Sequence, residues 1–410
     1  MTKAPKYKWT FAPRFRRQAF GWRSQPAIER VKEAVAEIKA AARQDTMLAA
    51  EGAVLLLEKI SSALEQVDSS SGAIGTAVNN AIETMVPIIA KAPVDEPTRN
   101  AWLERLWKAV EEDAIPYIEI LPEYWGSLCH TPELASHWAD ELIYPVRISW
   151  SQDRKAGSGY FKGTPACLSA LFMAGRYAEI LELLDLAPYK FWSDRKWGVQ
   201  ALTAMGKKAE ALRYAEDSRD KYSSSIAIAE ACEEILLASG LADEAYSLYA
   251  IEANQKSTYL ATFRAIAKKY PHKEASGILA DLVASSPGNE GKWFAAAKSA
   301  GLYSEAIELA NRTPCDPKTL TRAARDMKSI EPHFAVEAGM TALRWLAAGY
   351  GYDITGIDIR EAYQFTMEAA RNAGCESEAM ERIRSLVASD LSSSRMISTI
   401  LRPELGMTVR

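Results

Sequence analysis

The feature that most limits what this chain can fold into is an internal repeat. Gly175-Arg-Tyr-Ala-Glu179-Ile, Gly206-Lys-Lys-Ala-Glu210-Ala, Gly240-Leu-Ala-Asp-Glu244-Ala, Gly301-Leu-Tyr-Ser-Glu305-Ala and Gly374-Cys-Glu-Ser-Glu378-Ala share one pattern. A glycine is followed by three variable residues, a glutamate and a small or apolar residue. Two degenerate copies, Pro271-His-Lys-Glu274-Ala and Pro332-His-Phe-Ala-Val-Glu337-Ala, put an early proline where the others have glycine. The glutamates at 179, 210, 244, 274, 305, 337 and 378 lie 31, 34, 30, 31, 32 and 41 residues apart. A period held in this way marks stacked supersecondary units.

One unit can be read physically. Ahead of each glycine runs an apolar stretch of helical period, such as Leu168, Leu171 and Phe172, or Ile235, Leu236 and Leu237. Glycine ends that helix by entering the left-handed conformation without steric cost. Three residues on, a second helix is expected to begin, with glutamate in its first turn where the helix dipole favours an anion. Its apolar face continues through Leu181 and Leu184, or Ala245, Leu248 and Tyr249. In the degenerate copies Pro271 and Pro332 are expected to open the second helix. Such a hairpin cannot bury its face alone, so neighbours must complete the core.

The Gly301 and Gly175 copies resemble the turn region of tetratricopeptide repeats, over about residues 164–390. The family's usual early tryptophan is missing and the unit length is irregular. The resemblance implies an α-solenoid with a concave groove for a protein or peptide segment, and it brings no catalytic residues. Exposed positions on first helices, such as Lys298 and Arg322, are the expected groove residues. The loop from Gly349 to Asp358 falls in the longest spacing and reads as an insertion between repeats.

The first half reads as helical but without the repeat. Ile28, Val31, Val35 and Ile38 form one stripe, Leu48 to Leu64 another, Ile74 to Ile89 a third, and Trp102 to Val110 a fourth. The cluster Asp68-Ser-Ser-Ser-Gly72 suits helix capping, with a phosphate nest as the alternative. Residues 113–163, rich in proline and aromatics, read as short helices and turns between two helical blocks. The segments are therefore an arm over 1–27, a helical block over 28–112, the connector, and repeats over 164–400. Strand signals are almost absent, so the fold class is all-α.

With 48% hydrophobic and 25% charged residues the chain can build a large core. Five scattered cysteines show no metal or disulfide spacing, which fits a reducing compartment. No run reaches the length of a membrane span, and the expected location is cytoplasmic. His130, His137, His272 and His333 form no recognised ligand or nucleophile set, and Gly157 to Gly163 does not match a phosphate loop. No catalytic residue, cofactor or metal is predicted.

Charge is segregated. Residues 1–25 carry seven basic residues and no acid, while the whole chain has a net charge of −4. Within this arm Trp9, Phe11, Arg14, Phe15, Arg16, Arg17, Phe20, Trp22 and Arg23 interleave rings with cations. Three uses are open: docking on the acidic body, an epitope for a protein partner, or a grip on single-stranded nucleic acid. The leading expectation is a non-catalytic scaffold. The alternatives are a nucleic-acid-associated factor acting through the arm and an enzyme with a site near the connector.

Overall fold

The computed structural model describes residues 7–151, 160–220, 223–389 and 396–407. Every regular element among these residues is a helix. The chain divides into two compact units, Met1–Ile235 and Leu236–Arg410. That division falls inside the repeat series and not at the change of sequence character near residue 163.

The N-terminal unit begins with the arm, followed by four long helices: α1 (Ser24–Ala42), α2 (Thr46–Leu64), α3 (Ala73–Ala90) and α4 (Glu96–Glu112). Helices α1, α2 and α3 pack against one another, and α4 packs on α2. Side-chain caps fix the starts of α2 and α4: the Asp45 and Asp95 carboxylates accept the backbone N–H groups of Leu48 and Thr98 at 2.9 and 3.0 Å. The Asp68 cluster forms a turn ahead of α3 rather than the side-chain cap expected of it, since Gly72 is the N-cap and makes no side-chain cap bond. Asp68 accepts the Ser70 N–H at 3.0 Å, and Gly72 leads into α3 at φ 70°. Helix α3 spans 18 residues with a mean hydropathy of 1.2, long and apolar enough to cross a membrane, contrary to expectation. Its apolar face, Ile74, Val78, Ile82, Met85 and Ile89, is buried.

The connector departs from the short pieces expected of it. A 3-10 turn (Leu121–Tyr124) and the brief α5 (Trp125–Cys129) lead into α6 (Pro132–Trp150), a continuous 19-residue helix that contains Pro145. The alternating Val146–Trp150 segment is its last turn. The unit continues with α7 (Thr164–Met173), α8 (Tyr177–Asp185), α9 (Trp192–Ala204) and α10 (Lys208–Glu216), and α11 (Ser225–Leu237) crosses the division. Helix α5 lies backbone to backbone on α7, where a Cβ at Gly126 would stand 2.3 Å from the Ser169 carbonyl oxygen.

The C-terminal unit holds α12 (Ala242–Ala253), α13 (Tyr259–Lys269), α14 (Ala275–Ala284), a 3-10 turn (Glu290–Trp293) running into α15 (Phe294–Ser299), and α16 (Tyr303–Arg312). It closes with α17 (Pro317–Met327), α18 (Pro332–Ala347), α19 (Gly356–Ala373), α20 (Glu376–Ala388) and α21 (Met396–Glu404).

The repeated turn is the same object each time. Gly175, Gly206, Gly240, Gly301 and Gly374 lie at φ 73°, 77°, 76°, 76° and 71°. At each, the N–H after the glycine reaches the carbonyl five residues back, and the glycine N–H reaches the one three residues back. Leu302 N–H to Ala297 O at 3.0 Å and Gly301 N–H to Lys298 O at 3.1 Å are one instance. This pair of bonds is the Schellman motif. The second helix begins two residues after the glycine, one sooner than the spacing suggests, so each glutamate takes the third helical position. There it faces the positive end of the dipole.

The degenerate copies depart in part. Pro332 does open α18, but Pro271 stays in a turn and α14 starts at Ala275 behind Glu274. Glu337 sits in the second turn of α18 rather than the first. Leu248 is exposed, and Ala245, Tyr249 and Ala250 form the buried face of α12 instead. The residues of the longest spacing go partly into α18 and α19, which run for 16 and 18 residues. The loop between them ends on a capping box made by Thr355 and Asp358.

Candidate functional site

The basic aromatic arm lies on its own unit. Trp9, Phe11 and Phe15 are buried, and Tyr7, Trp9, Phe11, Phe15 and Phe20 form an unbroken chain of ring contacts with centroids 4.7 to 6.1 Å apart. Burying the three core rings stabilises the docked arm by roughly 1.5–3 kcal/mol each. Polar contacts fix the path. Glu37 accepts the Thr10 and Phe11 N–H groups at 2.8 and 3.1 Å. Arg14 pairs with Glu33 at 2.9 Å, and Arg17 and Gln18 both reach Glu65. These partners hold the Glu33 and Glu65 carboxyls below their usual range, Arg30 being the largest influence on the first and Gln18 on the second. Of the nine interleaved residues, Arg16, Trp22 and Arg23 remain exposed without a side-chain partner among the described residues; Trp22 is 72% exposed. Lys3 and Lys6 lie outside the described residues.

A glycine that sequence reading passed over makes this docking possible. Gly52, in the middle of α2, faces the Trp9 indole, and a Cβ there would lie 2.3 Å from the ring. The only sequence signal is a glycine inside an otherwise unbroken helical stripe, which marks close approach as well as weakness.

The connector region contains a cleft of about 430 Å³ within the N-terminal unit. Its polar lining includes Asp113, Glu119, Glu123, Lys162 and Asp194, and its walls include Trp150, Tyr160, Tyr189 and Phe191. Asp113 is occupied structurally: its carboxylate accepts the Ser61 hydroxyl and, at 3.0 Å, the Ile118 N–H. The Lys162 ammonium caps α4, donating to the carbonyls of Val110, Glu111 and Asp113. Glu123 pairs with Lys196 at 2.7 Å. The Asp194 carboxyl has no hydrogen-bond or ion-pair partner among the described residues, and burial pushes it up to about 6 against the opposing pull of Lys196. Of the Gly157–Gly163 segment, residues 157–159 lie outside the described residues.

Charge is uneven among the helices of the C-terminal unit, without a rule that holds for every hairpin: α19, a first helix, carries Asp358, Glu361 and Glu368 against Arg360 and Arg371. Among first helices, α13 carries Arg264, Lys268 and Lys269 with no acid, and α17 carries Lys318, Arg322 and Arg325 against Asp326 alone. Among second helices, α12 carries Asp243, Glu244 and Glu252 with no base, and α14 carries Asp281. Lys318, Arg322 and Arg325 recur at helical spacing and line a shallow groove with Glu361 and Phe365 of α19. Arg322 is exposed, as expected of a first-helix position, whereas Lys298 is half-buried.

Other reactive side chains serve structure. Burial pushes the Cys129, Cys167 and Cys315 thiols up to about 12. His272 stands 3.5 Å from Asp243 in the turn before α14, and His333 lies in the first turn of α18. No group of three metal-ligating side chains occurs among the described residues. Compared with known proteins, the chain matches no family model, and no curated protein is significantly similar to it.

Proposed function

We propose that this chain is a non-catalytic scaffold, a tetratricopeptide-like α-solenoid that binds an acidic protein or peptide segment on the first helices of its C-terminal unit. The basic excess on two first helices, α13 and α17, carries this reading. Helix dipoles favour Lys268, Lys269 and Arg325 in last turns and Asp243 and Glu244 in first turns, but not the mid-helix Arg264 and Arg322, which suit an electrostatically complementary partner. The recurrence of one glycine turn along the chain supports a stacked series, since each hairpin needs a neighbour to cover its apolar face.

The test is binding of a fluorescein-labelled glutamate-rich peptide, followed by anisotropy. Affinity is expected to fall with salt, because exposed charges are screened within about 10 Å at 0.1 M ionic strength. It should be lost when Arg264, Lys268, Arg322 and Arg325 are together changed to glutamate. Equal affinity in that variant sinks the reading. A single-stranded oligonucleotide that binds more tightly than the peptide, and is released by changing Arg16, Trp22 and Arg23 to alanine, would favour the nucleic-acid alternative.

A further inference from the structure

The cleft beside the connector combines two features that stability does not require. The first is its exposed rings. Tyr160, Tyr189 and Phe191 are 70%, 62% and 49% exposed, yet all three line one depression, with Tyr189 and Phe191 in ring contact at 5.4 Å. Large aromatics gathered on a concave surface are characteristic of binding sites, since exposed apolar area of this kind is otherwise kept small. The second is the Asp194 carboxyl, which lines the cleft without a hydrogen-bond or ion-pair partner among the described residues.

The charges around it set what can enter. Glu119 and Glu123, from the segment before α5, and Asp113, at the end of α4, face the same space. Lys162 is engaged with the carbonyls at the end of α4, and Lys196 with Glu123. An anion would meet four carboxyl groups and, among the described lining residues, one cation, Lys162, already engaged. A neutral apolar molecule would leave the Asp194 carboxylate dehydrated and unpaired, which is costly. A positive charge on an apolar stem satisfies both features, because aromatic faces attract cations as well as apolar groups.

We propose that this cleft binds an organic ammonium group, its charge against the Asp194 carboxylate and its alkyl stem along Tyr160, Tyr189 and Phe191. The site is independent of the basic helices of the C-terminal unit. The same ammonium chemistry can come from a free amine or from a lysine side chain of a peptide.

The sign of the pH dependence follows from Asp194. Burial pushes its carboxyl up to about 6, so the anionic acceptor is present above that value and is lost as pH falls through it. Burial penalises the charged form here, so Asp194→Asn should leave the fold at least as stable at neutral pH. A substitution at this position therefore tests binding separately from folding.

The experiment is calorimetric titration of the full chain with n-butylammonium, its neutral counterpart 1-butanol, and N-acetyl-lysine methylamide. The ammonium ion should bind about tenfold more tightly than the alcohol near pH 8, and the preference should vanish near pH 5. Asp194→Asn should remove the preference while the thermal transition is retained. Paired substitution of Tyr189 and Phe191 by alanine should weaken both ligands. Tighter binding of the lysine amide than of butylammonium identifies a peptide side chain as the source, and the reverse identifies a free amine. Equal affinity for ammonium and alcohol, or a preference that persists in Asp194→Asn, overturns the proposal.

Discussion

The helices ahead of the repeat series and the repeat hairpins themselves are held together by different kinds of interaction. Helices α1 to α4 of the N-terminal unit run for 17 to 19 residues and are fastened by individual polar groups acting across long stretches of sequence. Arg105 bridges Glu51 and Glu58 on α2, and Tyr117 donates its hydroxyl to the Val67 carbonyl. The hairpins α12 to α16 are built from helices of 6 to 12 residues and rely on a local turn that recurs with the sequence. One region concentrates its specificity in a few irreplaceable residues. The other spreads it over equivalent positions, each contributing modestly, as expected of repeat architectures. Substitutions should therefore have effects of very different size in the two.

The largest effect is expected at Arg99. Its guanidinium is 2% exposed and donates to the carbonyls of Ile89 and Ala92 at the end of α3 and of Leu128 in α5. No carboxylate pairs with it among the described residues, and burial lowers its pKa. Arg99→Ala removes all three donors and opens a cavity, so we expect a loss of about 3–5 kcal/mol in the N-terminal unit. Urea denaturation followed by circular dichroism measures it. A loss below about 1 kcal/mol would show that the polar clamp is dispensable and the comparison misdrawn.

Next in size is Gly52→Ala. A rigid indole cannot yield to a Cβ placed 2.3 Å away, so Trp9 must leave its site. The expected cost is roughly 2–3 kcal/mol, near the burial energy of one large side chain. A red shift of tryptophan emission and cleavage within the first 23 residues under limited proteolysis should accompany it. Retention of the native emission maximum would mean that α2 shifts instead and the arm stays docked.

How legible these features were in the sequence follows the same division. The glycine turns were readable because their cause is local: a left-handed residue after an apolar helical stretch leaves a glycine in the text. Pro271 misled for the complementary reason, since proline suits a turn as well as a helix start, and the bond from Lys273 N–H to the Tyr270 carbonyl selects the turn. Arg99 was invisible because its partners are backbone carbonyls, which carry no sequence identity. The ring chain of the arm was legible as a set of residues but not as a docked path, because Glu33, Glu37 and Glu65 are ordinary helix-surface acids until the fold places them. The cleft drew on residues from 110 to 194, a span over which no spacing rule operates.

The smallest effects sharpen the comparison most, because a single substitution should change sign with its position. Gly301→Ala forces a Cβ into a left-handed site and is expected to cost about 1–2 kcal/mol. Similar losses are expected at Gly175, Gly206, Gly240 and Gly374, which share its conformation and its bonds. Gly277 is the counter-case in the same unit. It lies within α14, outside the left-handed region, and a Cβ there would meet nothing within 4 Å. Alanine at 277 removes freedom from the unfolded chain and clashes with nothing, so it should stabilise by about 0.5–1 kcal/mol. Denaturation midpoints of the two variants, measured side by side, should fall on opposite sides of the parent. Two losses would mean that α14 depends on glycine for a reason other than space, and two gains would remove the turn from its place as the repeating element of the fold.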